Sequence, residues 1–116
     1  MTGWRALILA IAGLPQLVTA GIGGLQDGTY DAFDCTVPIS DERIVLSGDT
    51  LAFYEWSCRL SNPQTLRGLP GSILLDADCM GEGQTWSARF IMMQTRDGGI
   101  AFLQEGWGGH YARCNE

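Results

Sequence analysis

Among the titratable residues of this 116-residue chain, Glu55 has the most unusual setting: it lies between Tyr54 and Trp56 in an otherwise apolar stretch. A carboxylate desolvated there needs an Arg or several hydrogen-bond donors, or its pKa rises. With Glu105 or His110 it would form a general acid/base pair in a barrel mouth, the arrangement of a small hydrolase. Paired with Arg59 or Arg113 it would instead hold strand register, and this structural role is the favoured one. His110, the one histidine, follows Gly108-Gly109 beside a turn, and no Ser–His–Asp order accompanies it. The run Asp76-Ala77-Asp78-Cys79-Met80-Gly81-Glu82 begins like a calcium loop. However, Met80 stands where an oxygen ligand belongs and Ser87 where the closing Glu is needed. Strand alternation followed by a glycine turn accounts for these residues, so no metal and no cofactor are expected. Trp56, Trp86, Trp107 and Tyr111 could line a cleft or a stacking platform. Trp107, flanked by Gly106 and Gly108, is the best candidate for an exposed aromatic, whereas Trp86 is expected in the core. The candidate ligand-binding residues are therefore Trp107, Tyr111, His110 and Glu55, with no catalytic residue assigned.

Composition narrows the classes. The chain has seven Lys plus Arg, all of them Arg, against thirteen acids, a formal charge of −6. Such a balance disfavours nucleic-acid binding, which needs clustered basic residues. Arg5, the apolar run over residues 6–14, then Val18-Thr19-Ala20, reproduce the three-part layout of a secretory signal peptide over residues 1–20. The apolar run is too short for a stable membrane span. Cleavage would leave six Arg against thirteen acids, a charge of −7. Cys35, Cys58, Cys79 and Cys114 all follow that point, and an even count in a short exported chain reads as a disulfide framework. No CxxC pair supports zinc, and paired cysteines leave no thiol nucleophile. Of the three possible connectivities, Cys35–Cys58 with Cys79–Cys114 is preferred, because each bridge then closes a moderate loop around sequential strands.

The elements that must position these groups are read from breakers and alternation. Residues 21–28 are glycine-rich and read as a flexible lead-in to a single β domain over residues 29–116. Turn signals then recur every eight to twelve residues. They separate strand segments 43–46, 50–58, 72–79, 84–95, 100–105 and 110–114, with a loop of about a dozen residues between Asn62-Pro63 and Leu69-Pro70-Gly71. Ile73, Leu75, Ala77 and Cys79 share one face, as do Trp86, Ala88, Phe90 and Met92, and Arg89 could face Asp76 or Asp78 on the outer side. Segment 50–58 carries large apolar groups on both faces, as a strand covered on both sides would. The expectation is an all-β fold, a small antiparallel barrel or sandwich of six to seven strands stapled by two disulfides.

The pattern Cys35, Ser40-Asp41, Phe53-Tyr54-Glu55-Trp56-Ser57-Cys58, Cys79-Met80-Gly81-Glu82-Gly83 and Tyr111-Ala112-Arg113-Cys114 resembles small exported proteins of Gram-negative, largely alphaproteobacterial, bacteria with no assigned function. The likeness spans residues 29 to 114 and implies a stapled scaffold in the periplasm or outside the cell. A looser similarity is to periplasmic lysozyme inhibitors, small disulfide-bearing β-barrels. Their S-G-x-x-Y loop meets Ser47-Gly48-Asp49-Thr50 with Leu51 in place of Tyr, and Cys58 replaces the glycine of their Y-x-x-x-G motif after Tyr54. Inhibitor residues therefore do not carry over. The expectation is an exported, non-enzymatic binding module, with inhibition of a cell-wall hydrolase second and a hydrolase using Glu55 or Glu105 third. Its acidity suggests a basic envelope or cell-wall protein as partner.

Overall fold

Short apolar–polar alternations punctuated by tight turns give eight antiparallel strands in the computed structural model, which describes residues 21–115. The expected signal peptide lies outside the described residues. The strands are β1 (Gly28–Asp31), β2 (Arg43–Ser47), β3 (Thr50–Ala52), β4 (Ser57–Thr65), β5 (Ser72–Gly81), β6 (Gln84–Gln94), β7 (Ile100–Gln104) and β8 (Trp107–Arg113). Each pairs with the next and β8 returns to β1, closing an up-and-down barrel. The count exceeds the expected six to seven because Gly28–Asp31 forms a strand outside the expected segments and segment 50–58 breaks into β3 and β4 around a turn at 53–56. No glycine or proline marks that break. Further on, β4 continues past Cys58 through a bulge at Asn62-Pro63, where Asn62 takes a φ of 52°. The proline is tolerated because a bulge asks no ladder hydrogen bond of it, so the connection shrinks to residues 66–71.

The inward face of every strand builds the core. Tyr30, Ile44, Leu46, Leu51, Leu60 and Leu75 come from the first five strands, and Phe90, Met92, Ile100 and Phe102 from the next two. The expected inward set of β5 is buried as read, and Arg89 does face Asp76 across the ladder, its Nε 3.1 Å from the carboxylate. Both partners are exposed, so the pair adds little.

The cysteines pair differently from the preferred scheme: Cys35 bonds Cys114 and Cys58 bonds Cys79. Cys58 and Cys79 are direct cross-strand neighbours of β4 and β5, both facing the core. Cys35 and Cys114 join the first connection to the end of β8, with Cα atoms 5.4 Å apart. Sequential loop closure was the wrong criterion, because barrel closure brings the two ends of the chain together. On the chain-entropy view, separations of 79 and 21 residues correspond to about 4–5 and about 3 kcal/mol.

Residues 21–28, expected as a flexible lead-in, instead pack against the barrel and end in the first residue of β1. A 3-10 turn at Ile22–Gly24 precedes Leu25, which is fully buried. Beyond it, the Tyr30 hydroxyl donates to the Gln26 carbonyl at 2.6 Å and accepts from Arg113 Nη1 at 2.9 Å. Arg113 Nη2 also donates to the Asp27 carbonyl, and Gln94 Nε2 reaches Tyr30, Gly98 and Gly99. This network caps one end of the barrel and satisfies its polar groups.

Peptide mapping without reduction is expected to recover Cys35 linked to Cys114 and Cys58 linked to Cys79; a Cys35–Cys58 peptide would contradict the fold. Tyr30→Phe removes the hub of the cap network and should cost about 1–3 kcal/mol, read as a lower urea midpoint at unchanged m-value.

Candidate functional site

Strand direction alternates, so the connections 32–42, 53–56, 82–83 and 105–106 all emerge at one end of the barrel. The connections 48–49, 66–71 and 95–99 emerge at the other, beside the N-terminal cap. At the first end the 53–56 turn closes on itself: the Phe53 amide donates to the Trp56 carbonyl at 2.7 Å, and their rings stack at 3.6 Å. Trp56 leans on Trp86 at 5.7 Å, and Phe53 sets its ring edge-on to Phe102 at 5.8 Å. Phe102 in turn meets Phe90, Trp107 and Tyr111. An aromatic chain thus runs across the barrel mouth, each pair adding roughly 0.5–1.5 kcal/mol beyond area burial. The turn rests on Gly81, where a Cβ would fall 2.6 Å from the Trp56 Cβ, so only glycine permits this approach. Between this turn and the β5–β6 tip lies an open groove of about 680 Å³ bordered by Tyr54, Glu55, Met80 and Glu82.

Large apolar side chains are exposed chiefly at this end. Phe33 is 73% and Ile39 75% exposed on the first connection, and Tyr54 joins them around one depression. Met80 and Leu103 lie where β5 and β7 reach the mouth. Trp86 and Trp107, 39% and 45% exposed, lie where β6 and β8 leave it. Of the large exposed apolar residues among those described, Val45 and Leu69 lie elsewhere. Apolar exposure gathered in this way marks interaction surfaces more often than scattered single residues do.

Charge is segregated in the same direction. Of the twelve acids and six Arg in residues 21–115, seven acids (Asp31, Asp34, Asp41, Glu42, Glu55, Glu82 and Glu105) and only Arg43 belong to the mouth. The walls balance, with Asp76 and Asp78 against Arg59 and Arg89. The capped end balances too, with Asp27, Asp49 and Asp97 against Arg67, Arg96 and Arg113. The net charge of the described residues is therefore carried by the connections, and the strand ends beside them, that belong to the aromatic end, with Cys35 of the first connection drawn back along the wall to Cys114.

The longest connection there is ordered by one ion pair. Asp31, buried on β1, accepts Arg43 Nε at 2.9 Å, the Phe33 and Asp34 amides, and the Ser40 hydroxyl. Arg43 spends its remaining donors on the carbonyls of Asp34, Cys35, Val37 and Pro38. Burial pushes the Asp31 carboxyl up, but these hydrogen bonds together outweigh it and hold the pKa below the ordinary range. Sequence reading passed over this pair. Its available signal was the Asp31, Asp34 and Thr36 spacing, which suits side chains that hydrogen-bond the backbone a few residues on.

Of the four candidate residues, two lie at the mouth. Trp107 is exposed there as expected, although on a strand and not in a loop. Glu55 is also there, but the expected apolar strand around it is a turn that leaves it exposed. Its proposed partner Arg113 is committed to the cap at the opposite end. Tyr111 points into the core, where burial, and then the nearby Glu42 charge, push its hydroxyl pKa up. His110 lies on the outer wall with Nε2 3.5 Å from Asp97 and 3.4 Å from Thr95 Oγ1, facing the capped end. Trp86, expected in the core, shares the inward face of Phe90 and Met92 but lies beyond the last residue that β7 covers. The acid-rich stretch 76–82 is strand β5 running into a two-residue turn, with Asp76 held by Arg89 and Asn62 and Asp78 by Ser87. Among the described residues no group of three or more His, Cys, Asp or Glu could hold a metal ion.

A depressed carboxyl pKa contributes stability that is complete above the unfolded value of about 3.9 and lost as pH falls through the lower folded value. Asp31, together with Asp34 and Asp97, should therefore leave the urea midpoint flat near neutrality and lower it below about pH 4. Asp31→Asn should reduce that acid slope, and an unchanged slope would remove Asp31 from this role. No protein-family model, curated protein or solved structure matches the chain, so the assignment of this end as a site rests on its own geometry.

Proposed function

We propose that this chain is an exported, non-enzymatic binding module that uses the acidic, aromatic barrel mouth to hold a basic protein of the bacterial envelope. The observation that carries this reading is that, among the described residues, the excess acids belong to the same barrel-end connections as most of the exposed aromatic and apolar side chains. Such an end steers a cationic surface toward it through long-range attraction, and desolvated aromatic contacts then supply affinity. The two disulfides fit an oxidising compartment, and the layout of residues 1–20 supports export to the periplasm or beyond. Exposure of Glu55 and Glu105 on separate turns favours a charge role for them over acid–base catalysis. A basic cell-wall hydrolase belongs to the same class of partner, so its inhibition remains the second reading, favoured by the same charge.

The test is calorimetric titration with a panel of basic proteins, a basic lysozyme among them, at low and at physiological salt. Binding that weakens steeply with salt is expected, and the triple variant Glu55→Gln, Glu82→Gln, Glu105→Gln should weaken it at least tenfold while leaving stability within about 0.5 kcal/mol. Absence of binding to every basic protein at low salt would overturn the reading. Loss of hydrolytic activity in the lysozyme complex would select inhibition.

A further inference from the structure

The β5–β6 hairpin outruns its neighbours. β6 pairs with β5 from Gln84 to Met93, but with β7 only from Ile91 to Gln94. Glu105 already belongs to the turn into β8, so among the described residues no strand lies on the far side of residues 84–90 of β6. Hairpin geometry says which backbone groups are left over. The two-residue turn Glu82-Gly83, with φ of 52° and 80°, makes Gly81 and Gln84 a hydrogen-bonded pair, so the even-numbered residues of β6 bond β5. The Thr95 amide donates to the Gly99 carbonyl at the start of the β6–β7 ladder, which puts odd-numbered residues on the β7 side. Thr85, Ser87 and Arg89 therefore present amides and carbonyls without a ladder partner among the described residues, at an exposed edge.

Natural edges are blunted by proline, lysine or a bulge. This one has none: residues 84–90 read Gln-Thr-Trp-Ser-Ala-Arg-Phe, and the only charge, Arg89, is engaged with Asp76. An open groove of about 860 Å³ on the outer wall is bordered by Ser87 and Arg89 on β6 and by Leu103 and Glu105 beyond it. Trp86 and Trp107, on the inward faces of β6 and β8, flank the same interval at the mouth. β8 is also unpaired with β1 before Ala112, but Gly108 and Gly109 offer an incoming chain no side chains to read.

We infer that the β6 edge at Thr85, Ser87 and Arg89 accepts an extended cationic segment of the partner protein as an added strand. Free backbone groups are satisfied by another backbone, which makes the occupant a polypeptide, and alternate side chains of that strand would meet the tryptophans on one face. The charge selects its sign. A second copy of this chain would bring another mouth with seven acids to one Arg against the first, whereas a segment rich in Arg or Lys meets Glu82 and Glu105 favourably. The inference deepens the proposed function and rests on it.

The experiment uses the disulfide-intact protein at low salt with a blocked decapeptide of alternating Arg and Val, and with the same peptide carrying four consecutive methylated backbone nitrogens at its centre. Charge and side chains are shared, but the second peptide cannot form a continuous ladder. The expected result is at least tenfold weaker binding of the methylated peptide. The first peptide should also protect the Thr85, Ser87 and Arg89 amides from hydrogen exchange. Equal affinities, or no protection at those three amides, would overturn strand addition and leave the basic-partner reading standing. If neither peptide binds, and no basic protein binds either, both fail. Protection of the same amides without peptide, accompanied by a dimer in sedimentation, would identify a second copy as the occupant and overturn the cationic one.

Discussion

The barrel closes on a seam of two residue pairs, Tyr30 with Arg113 and Asp31 with Ala112, and the remaining structure depends on that seam holding. An open eight-stranded sheet of this size would expose two full edges and leave its inward face wet. So short a ladder cannot resist opening by backbone hydrogen bonds alone. It is reinforced on three sides: the Cys114 amide donates to the Thr29 carbonyl at 2.8 Å, Cys35 is bonded to Cys114, and the Tyr30 hydroxyl and Arg113 guanidinium cross the seam from within. The neighbouring Asp31 faces outward, where its carboxylate gathers the first connection through Arg43. One four-residue strand thereby serves both closure and the ordering of a connection at the mouth.

The two ends of the barrel have opposite character for physical reasons. At the capped end, buried polar groups are paired through Tyr30, Arg113 and Gln94, and the three acids there are matched in number by three Arg. At the mouth, Asp31 is buried against Arg43, while Asp41, Glu42, Glu55, Glu82 and Glu105 stand in water on four connections, where repulsion is screened and unpaired charge costs the fold little. Exposed aromatic groups carry a larger penalty, and here they are tolerated as the outer part of a stacked chain continuous with the core. The Cys58–Cys79 bond braces this region from below. It joins β4 to β5 one residue pair short of the 53–56 turn, and that turn lies on Gly81 at the root of the β5–β6 tip. The overhang is therefore held in place although β7 does not support it.

Much of the fold was legible. Period-two alternation found the inward faces of β5 and β6, and glycine-containing turns located the β2–β3, β5–β6 and β6–β7 connections. Where reading failed, the cause was a local signal overruled by a distant contact. Phe53-Tyr54-Glu55-Trp56 reads as strand by residue type, yet it turns because stacked Phe53 and Trp56 find Phe102 and Trp86 to rest on. Gly108-Gly109 reads as a turn, yet it continues β8 because Leu103 and Phe102 lie close against it. The candidate residues divided for the same reason: alternation along β8 sends His110 outward and Tyr111 inward, and only the tilt and closure of the barrel determine which end each approaches.

By itself, the sequence determined the class of the fold, the even set of four cysteines, the acidic balance and the direction in which most side chains point. These follow from composition and from the strand period, which are local properties. Only the tertiary structure decided which cysteines bond, that the glycine-rich segment after residue 20 packs as a cap, and that the excess acids and exposed aromatic groups share one end. Those facts depend on which distant segments become neighbours when the barrel closes, and neither spacing nor composition encodes that without the register of every intervening strand.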